Sequence, residues 1–477
     1  YVKPKVVIYS TGEELEEPGV PLKPGKIYDV NRFSLSVAVE EAGCQPSPRS
    51  ILPDDYGKLK EAILEGVKEA DVVLVSGGTS AGAGDLLYRV LEELSGGLLF
   101  HGVAVKPGKP TAAALIEGKP VFALPGYPSS ALMVFLRLVK PVLRFLAGLP
   151  PFEEEELVEA RVGEKIFSVQ GRLEFLPVHL VSGREGLTVF PAKLAPGAVS
   201  ALASADGFIE IGEEKAFLEE GEKVKVRLFS RRLRLPDLTI IGSHCLGLEL
   251  LLKLLREKHP EFTVKTVWVG SSAGLSALRR GEADLAGIHL LDEKTGQYNL
   301  PFIEEFGLKG RVALFSGYLR RQGFMVASGN PKGFKGLEDL LRPDIKMINR
   351  NPGSGTRILL DFHLKRLAES QGLTLEELTV KIKGYEVEAK SHSAVAAAIA
   401  QGKADVGLGI ETAASLYGLD FIPLAMEHYD FAVNLESLEK PAVKAFLSLL
   451  SSKEFKEALT GKVKGLIPTE STGKQVL

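Results

Sequence analysis

The chain is poor in cysteine: two stand among 477 residues, Cys44 and Cys245. They lie in different segments, offering neither a disulfide framework nor metal-ligand spacing, which fits a reducing cytoplasm. No apolar run reaches the length needed to span a bilayer, which argues against a membrane protein. There is no excess of positive charge either. A formal net charge of -3 argues against a general nucleic-acid binder, which needs a basic surface. Internal repeats, low-complexity tracts and a signal-peptide pattern are absent. The chain opens at Tyr1, not Met, directly into the strand-like Lys5-Val6-Val7-Ile8-Tyr9, so the lack of a signal pattern carries no weight; the expectation of a cytoplasmic protein comes from the cysteine usage. What is present is α/β material: 45% hydrophobic residues, 25% charged residues and 50 glycines. The length predicts about three domains.

Hydrophobic patterning divides the chain into residues 1–148, 149–235 and 236–477. In the first segment, β-type runs at Val6–Tyr9, Val72–Val75 and Val121–Leu124 alternate with helical periods at Arg32–Ala42, Tyr56–Glu69 and Leu86–Leu94. That alternation predicts a mostly parallel sheet with helices on both faces. The second segment carries short β runs such as Val224–Leu228 between Gly, Pro and Glu turns, which predicts a small β barrel or sandwich. Arg231-Arg232-Leu233-Arg234 and Pro236 read as a linker. From Leu238 the alternation returns, with strands at Leu238–Ile241, Val264–Val269, Leu285–Ile288, Val312–Ser316 and Phe324–Ala327. Helical periods lie at Leu246–Glu257, Ala273–Arg280 and Arg357–Ala368. This pattern predicts one two-lobed unit or two small domains.

Ligands in open α/β sheets bind at the carboxyl ends of the strands. There the first segment places Ser10-Thr11-Gly12-Glu13-Glu14, Ser76-Gly77-Gly78-Thr79-Ser80 through Asp85, and Pro125-Gly126. Asp29-Val30-Asn31 and Asp54-Asp55 precede helices, and their simplest reading is as caps. Lys106-Pro107-Gly108-Lys109-Pro110 sets two cations beside a Gly-Pro turn. Acidic groups, lysines and backbone amides in one place can hold a metal ion or an oxyanion against a phosphorylated ligand.

These residues resemble the molybdenum-cofactor domain of the MoeA family, the molybdopterin molybdenumtransferases related to gephyrin's E domain. The likeness rests on Ser10–Leu15, Asp29–Asn31, Ser76–Asp85, Lys106–Pro110 and Leu124–Ser129. Residues 149–229 look like that family's C-terminal β domain, through Gly171–Phe175 and Ser204–Gly207. The resemblance implies a three-layer α/β molybdopterin-binding domain, a small β-barrel domain, and insertion of molybdate or tungstate into adenylylated molybdopterin with Mg²⁺ and release of AMP. It implies Glu14, Asp55, Asp85, Lys106 and Lys109 as catalytic residues, with Glu14, Asp55 and Asp85 as metal ligands; Asp54 competes with Asp55 for its role. Thr11, Gly12, Ser76, Gly77, Gly78, Ser80, Pro125, Gly126 and Pro128 are the implied cofactor-binding positions. A homodimer is implied, with the molybdopterin adenylyltransferase as a partner. The sequence departs from the family at Tyr127, where Asn is usual, and at Ala195–Ser200, where a Ser-Gly-Ser turn is usual. The family's two N-terminal domains are not within these residues. The same features admit a non-catalytic regulatory protein that keeps the scaffold for dimerisation.

A second constellation lies downstream. Gly353-Ser354-Gly355-Thr356-Arg357 precedes an amphipathic helix, and Gly242-Ser243-His244 and Gly270-Ser271-Ser272 close strands ahead of helices. Hydroxyls and free first-turn amides at several helix N-termini suit an anion. Arg357 offers a bidentate contact to an oxyanion or pairs with Asp361 one turn on. The candidate ligand-binding residues are Ser243, His244, Ser271, Ser272, Arg350, Ser354, Gly355, Thr356 and Arg357, with His392 as a further histidine and Trp268 as core. This segment resembles the periplasmic-binding-protein-like domain fused to MoeA-type proteins. Gly242–Cys245, Gly281–Asp284, Gly323–Val326, Gly329–Pro331, Asn349–Arg357 and Gly402–Gly407 carry the likeness. It implies a two-lobed type II fold binding molybdate, tungstate or another small ligand, with lobe crossovers near Gly317–Gln322 and Met426–Tyr429.

Overall fold

The structure is a computed structural model, and it describes residues 3–78, 84–153, 156–192, 199–230 and 235–477, with the side chains of Gly84 and Asp85 undescribed. Two compact units result: Tyr1–Leu180 with Leu187–Leu233, and Val181–Gly186 with Arg234–Leu477.

The first unit is built on a six-stranded sheet ordered Gln45–Pro48, Lys5–Ser10, Val72–Ser76, Lys119–Leu124, Ala112–Ile116 and Phe100–His101. The first four strands run parallel, and each of the last two is antiparallel to the strand before it. Val72–Ser76 is buried along its whole length, as its unbroken apolar run requires of a strand covered on both faces. Helices Tyr56–Glu69 and Gly84–Ser95 cover one face, while Asn31–Glu41 and the helical stretch from Pro128 to Leu146 cover the other. In Tyr56–Glu69 the buried residues are Leu59, Ala62, Ile63, Gly66 and Val67, the one-sided spacing of a helix with a single apolar face. Burying a Leu or Ile of this kind contributes roughly 1.5–3 kcal/mol.

A five-stranded barrel completes this unit. Gly186–Pro191, Leu157–Val162, Lys223–Leu228, Gly207–Ile211 and Leu173–Gly183 follow one another, and the last pairs back to the first. Val105–Lys106 adds to it in parallel, with Leu173 opposite Val105 and Glu174 opposite Lys106. The segment that carries the two lysines is thereby tied to the barrel.

In the second unit a sheet runs Val264–Trp268, Leu238–Gly242, Leu285–Ile288, Asp420–Asn434, Val312–Val326 and Val406–Ile410, and Leu466–Pro468 pairs with Val312–Val326. Sequence patterning divides Val312–Ala327 into two strands around a crossover; the structure has one 15-residue strand there, paired antiparallel with the equally long Asp420–Asn434. The polar residues Arg320, Arg321 and Gln322 break the apolar run without breaking the strand. Register shifts at Phe315/Tyr318 and Gln322/Gly323 bend the pair where it passes between lobes. Tyr318 packs with one lobe's core and Phe324 with the other's. Among the described residues no helix is long and apolar enough to cross a membrane.

Candidate functional sites

Three parallel strands of the first unit end side by side, since Ser76 is paired with both Ser10 and Leu124. Their following loops line a cavity of about 1030 Å³ with Thr11, Gly12, Glu14, Asp29, Asn31, Asp54, Ser76, Gly77, Gly78, Pro125, Gly126, Tyr127 and Pro128 on its wall. A hydrogen-bond lattice holds the loops. Asn31 Nδ2 donates to Ser76 Oγ and to the Gly126 carbonyl, each at 2.7 Å. Ser76 Oγ donates to the Pro125 carbonyl (3.1 Å), Ser10 Oγ to Asp29 Oδ1 (2.9 Å), and Thr11 Oγ1 to Asp54 Oδ1 (2.7 Å). Asn31 is therefore a clamp between two strand ends, not a cap. Asp29 does both jobs, accepting also from the Arg32 N–H at 3.2 Å. Among the described residues Asn31 Oδ1 is buried with no hydrogen-bond partner, which leaves a bare acceptor on the wall.

Three of the described loop amides are already used within the protein. The N–H groups of Thr11, Gly12 and Gly77 donate to the carbonyls of Ser76, Leu52 and Leu124. Gly77 has φ +108°, and a Cβ there would stand 2.1 Å from the Thr11 carbonyl oxygen, so only glycine fits. Of the paired aspartates, Asp55 is exposed and caps the helix Tyr56–Glu69 by accepting from the Lys58 N–H at 2.9 Å. Asp54 is the one on the cavity wall. Neither lysine lines the cavity: Lys106 Nζ pairs with Glu174 at 2.8 Å, and Lys109 is exposed. Ser80 and the Asp85 side chain lie outside the described residues. Among the described residues there is no cluster of three or more His, Cys, Asp or Glu able to hold a metal ion.

The second unit contains a larger cavity of about 1450 Å³. Residues at the starts of four helices line it, Leu246–Lys258, Ser271–Arg280, Gly355–Ser370 and His392–Ala400. The first two begin without a side-chain cap, while Ser354 and Ser391 cap the others. First-turn amides lack helical partners and carry the positive end of the helix dipole, so the wall favours an anion. Ser243, His244, Ser271, Ser272, Arg350, Ser354, Gly355 and Thr356 all line it. Arg357 does not. Its guanidinium donates to Asp361 at 2.9 Å and stands 4.0 Å from the centre of the Tyr385 ring, so the local i,i+4 partner holds it away from the ligand space. His244 bonds to Glu249 at 2.8 Å, and Trp268 is half-buried against it.

Behind this wall lies a charged network that sequence reasoning missed. Glu427 is 2% exposed; its Oε2 accepts from Arg320 Nε (2.7 Å) and Gln322 Nε2 (2.9 Å), and its Oε1 bonds His289 Nδ1 (2.8 Å). His289 Nε2 in turn bonds Ser243 Oγ at 2.8 Å. Burial opposes ionisation of Glu427, yet Arg320 and His289 hold its carboxyl below the usual range. Burial, reinforced by Arg320, pushes the His289 imidazole below its ordinary value; burial, Arg350 and Arg320 do the same to His392. Among the described residues the Arg350 guanidinium donates to the carbonyls of Ala389 and Lys390 and has no carboxylate partner, which leaves its charge on the cavity wall. His392 Nδ1 is buried without a partner.

Comparison with known proteins follows this division. Residues 7–144 match the family described as "Probable molybdopterin binding domain", residues 159–229 the "MoeA C-terminal region (domain IV)", and residues 252–451 the "PBP superfamily domain". The molybdopterin molybdenumtransferase of Haemophilus influenzae is 33% identical over 235 residues, 49% of this chain and 58% of that protein. The uncharacterized protein YvgK of Bacillus subtilis is 34% identical over 242 residues, 51% of this chain and 74% of that protein. A solved molybdopterin biosynthesis MoeA protein from Pyrococcus horikosii is 43% identical, covering 48% of this chain and 55% of its own at a TM-score of 0.43. The chain thus spans little more than half the length of the transferase it matches.

Proposed function

We propose, from the premise that this chain belongs to the MoeA family through residues 7–144 and 159–229 and carries a PBP-superfamily domain over residues 252–451, that it serves molybdenum-cofactor synthesis. In this reading the first unit takes molybdate or tungstate and adenylylated molybdopterin as substrates, and AMP leaves. The observation that carries it is the cavity at the three strand ends, where Asn31 clamps Ser76 to Gly126 and keeps Oδ1 as a buried, bare acceptor. A pterin ring bears N–H donors that suit such an atom, while the exposed Tyr127 at the rim gives it a flat surface. Mg²⁺ keeps several waters and binds through one or two carboxylates plus substrate phosphates. Glu14 and Asp54 are the cavity carboxylates fitted to that role, in place of Asp55. Bound there, the ion would offset phosphate charge.

The second unit then supplies or senses an anionic ligand, molybdate or tungstate being the ones that link it to the first. Tethering raises the local concentration of a released oxyanion. A homodimer is supported by the exposed apolar residues Phe33 and Val37 on one helix and Phe145 and Leu146 on another that packs with it. The molybdopterin adenylyltransferase, as the source of the adenylylated substrate, is the proposed partner, and the cytoplasm the proposed location.

The test is AMP release by the full chain from adenylylated molybdopterin with Mg²⁺ and molybdate. Turnover that is lost in Asn31→Ala supports the reading; pterin binding without AMP release replaces it with a second one. That second reading, a cofactor-binding regulator on the same scaffold, is favoured by one observation. Lys106 is paired with Glu174, and neither lysine reaches the cavity wall.

A further inference from the structure

The hydrogen-bond directions in the second unit restrict what its cavity can bind. An ionised carboxylate only accepts, so His289 Nδ1 must carry the proton that bonds Glu427 Oε1. On a neutral imidazole Nε2 is then bare and accepts, which assigns the Ser243 hydroxyl proton to the Ser243–His289 bond. Ser243 is 9% exposed and lines the cavity, so what it presents to a ligand is lone pairs. Ser271 is its opposite. Its Oγ accepts from the His289 N–H at 3.1 Å, which leaves its own proton for the ligand. One wall therefore holds a serine donor and a serine acceptor.

The groups around His289 keep this arrangement in place. From the strand Val312–Val326 comes Arg320, and from Asp420–Asn434 come Glu427 and the stacked Tyr429 ring, 6.0 Å away. The helices Ser271–Arg280 and Gly355–Ser370 contribute only Ser271 and the Gly355 backbone. His392 is within electrostatic reach and carries no charge to oppose a proton while it stays neutral.

We propose that this cavity binds an anion together with one proton: Ser243 accepts from a ligand that brings its own proton, such as hydrogen phosphate, and donates to a fully deprotonated oxyanion, such as molybdate, tungstate or sulfate, only once His289 has taken a proton from solvent at Nε2. In the second case His289 donates at both nitrogens, to Glu427 and to Ser243, and the serine proton turns to the ligand. A dianion in the cavity offsets Arg320 and Arg350, which favours the protonated ring. Atoms balance with one proton from water and no other reactant.

The inference rests on the reading of the cavity as an anion site, and its test separates the two. Calorimetric titration of the full chain with inorganic phosphate, sulfate, molybdate and tungstate is run at pH 6, 7 and 8, in buffers of different ionisation heat. Sulfate, molybdate and tungstate are expected to bind with uptake of about one proton, and to lose about tenfold in affinity per pH unit above pH 7. Phosphate at pH 8, where the hydrogen phosphate form prevails, is expected to show no uptake and no such loss. In Ser243→Ala, with Trp268 emission confirming the fold, the loss with pH disappears for sulfate, molybdate and tungstate. Oxyanion binding without proton uptake, or an equal pH slope for phosphate, overturns the proton-coupled site alone. Binding of none of the four overturns the anion reading with it, while AMP release by the first unit tests the cofactor reading independently.

Discussion

The two cavities of this chain are made from similar sequence, Gly- and Ser-rich turns after β-strands, yet they use their turn amides differently. In the first unit the turn amides of Thr11, Gly12 and Gly77 are bonded to neighbouring strand ends and the Leu52 carbonyl, and the described wall carries the acceptors Asn31 Oδ1, Glu14 and Asp54 beside the uncapped starts of Asn31–Glu41 and Pro128–Val134. In the second unit two of the four helix starts on the wall are uncapped, and Ser271 and Arg350 add donors beside them. A Gly-Ser turn is thus not an anion site by composition. Its polarity depends on whether the adjoining strand ends lie close enough to bond its N–H groups.

The sharpest way to break the comparison is at the buried network behind the second cavity. Glu427→Ala leaves the Arg320 guanidinium, 3% exposed, without its carboxylate. Removing one partner of a buried ion pair costs about 3–5 kcal/mol. The chain has a single tryptophan, Trp268, within the second unit, so urea unfolding followed by its emission reports that unit. The midpoint is expected to fall steeply. A shift below about 1 kcal/mol, the scale of an exposed pair, would mean the network is solvated.

How far these features were legible follows from which contacts cross the chain. The strands and helices of the first unit were readable because both faces of its sheet are covered, so Val72–Ser76 is apolar throughout and Tyr56–Glu69 has a clean helical period. The loops at the strand ends follow from the topology of such a sheet. The network in the second unit was not legible. Arg320 and Glu427 are register partners on antiparallel strands, and each interrupts an apolar run that, taken alone, reads as a crossover. Lys106 misled for a related reason: its strand joins the barrel and meets Glu174, a pairing no local pattern encodes. For Arg357 the sequence left two partners open, and the nearer one, Asp361, holds it.

Asn31 carries the equivalent weight in the first cavity, through neutral hydrogen bonds. Asn31→Ala strips the Ser76 hydroxyl and the Gly126 carbonyl of a buried donor, at a cost of about 1–3 kcal/mol. Thermal melting followed by far-ultraviolet circular dichroism should show the first unit weakened while Trp268 emission is unmoved. A shift in Trp268 emission would contradict the separateness of the two sites.

Acid separates them more gently. His289 and His392 titrate below their ordinary value in the folded chain, so the unfolded chain binds more protons as pH falls through about 6.5. Stability from keeping them neutral is full above that pH and declines below it, approaching about 1.4 kcal/mol per pH unit for each histidine. Glu427 acts in the same direction but only in the carboxylate range. Between pH 6.5 and 5 the Trp268 midpoint should therefore fall, and His289→Gln should shallow the slope. A flat midpoint over that range would place both rings in contact with water.

The smallest expected effect decides between adjacent carboxylates. Asp55 accepts from the Lys58 N–H as a helix cap, and losing such a cap costs about 0.5–2 kcal/mol without touching the cavity. Asp54 holds Thr11 Oγ1 on the cavity wall, where the Mg²⁺ role is proposed. Asp55→Ala should thus lower the melting point of the first unit by a few degrees and leave AMP release per folded molecule unchanged. Asp54→Asn keeps the side-chain volume and an oxygen for Thr11, so it should melt near the parent while the Mg²⁺ dependence of turnover weakens. The reverse pattern, a silent Asp54→Asn and an inactive Asp55→Ala, would require Asp55 to leave its cap when substrate binds, and would return the metal role to it.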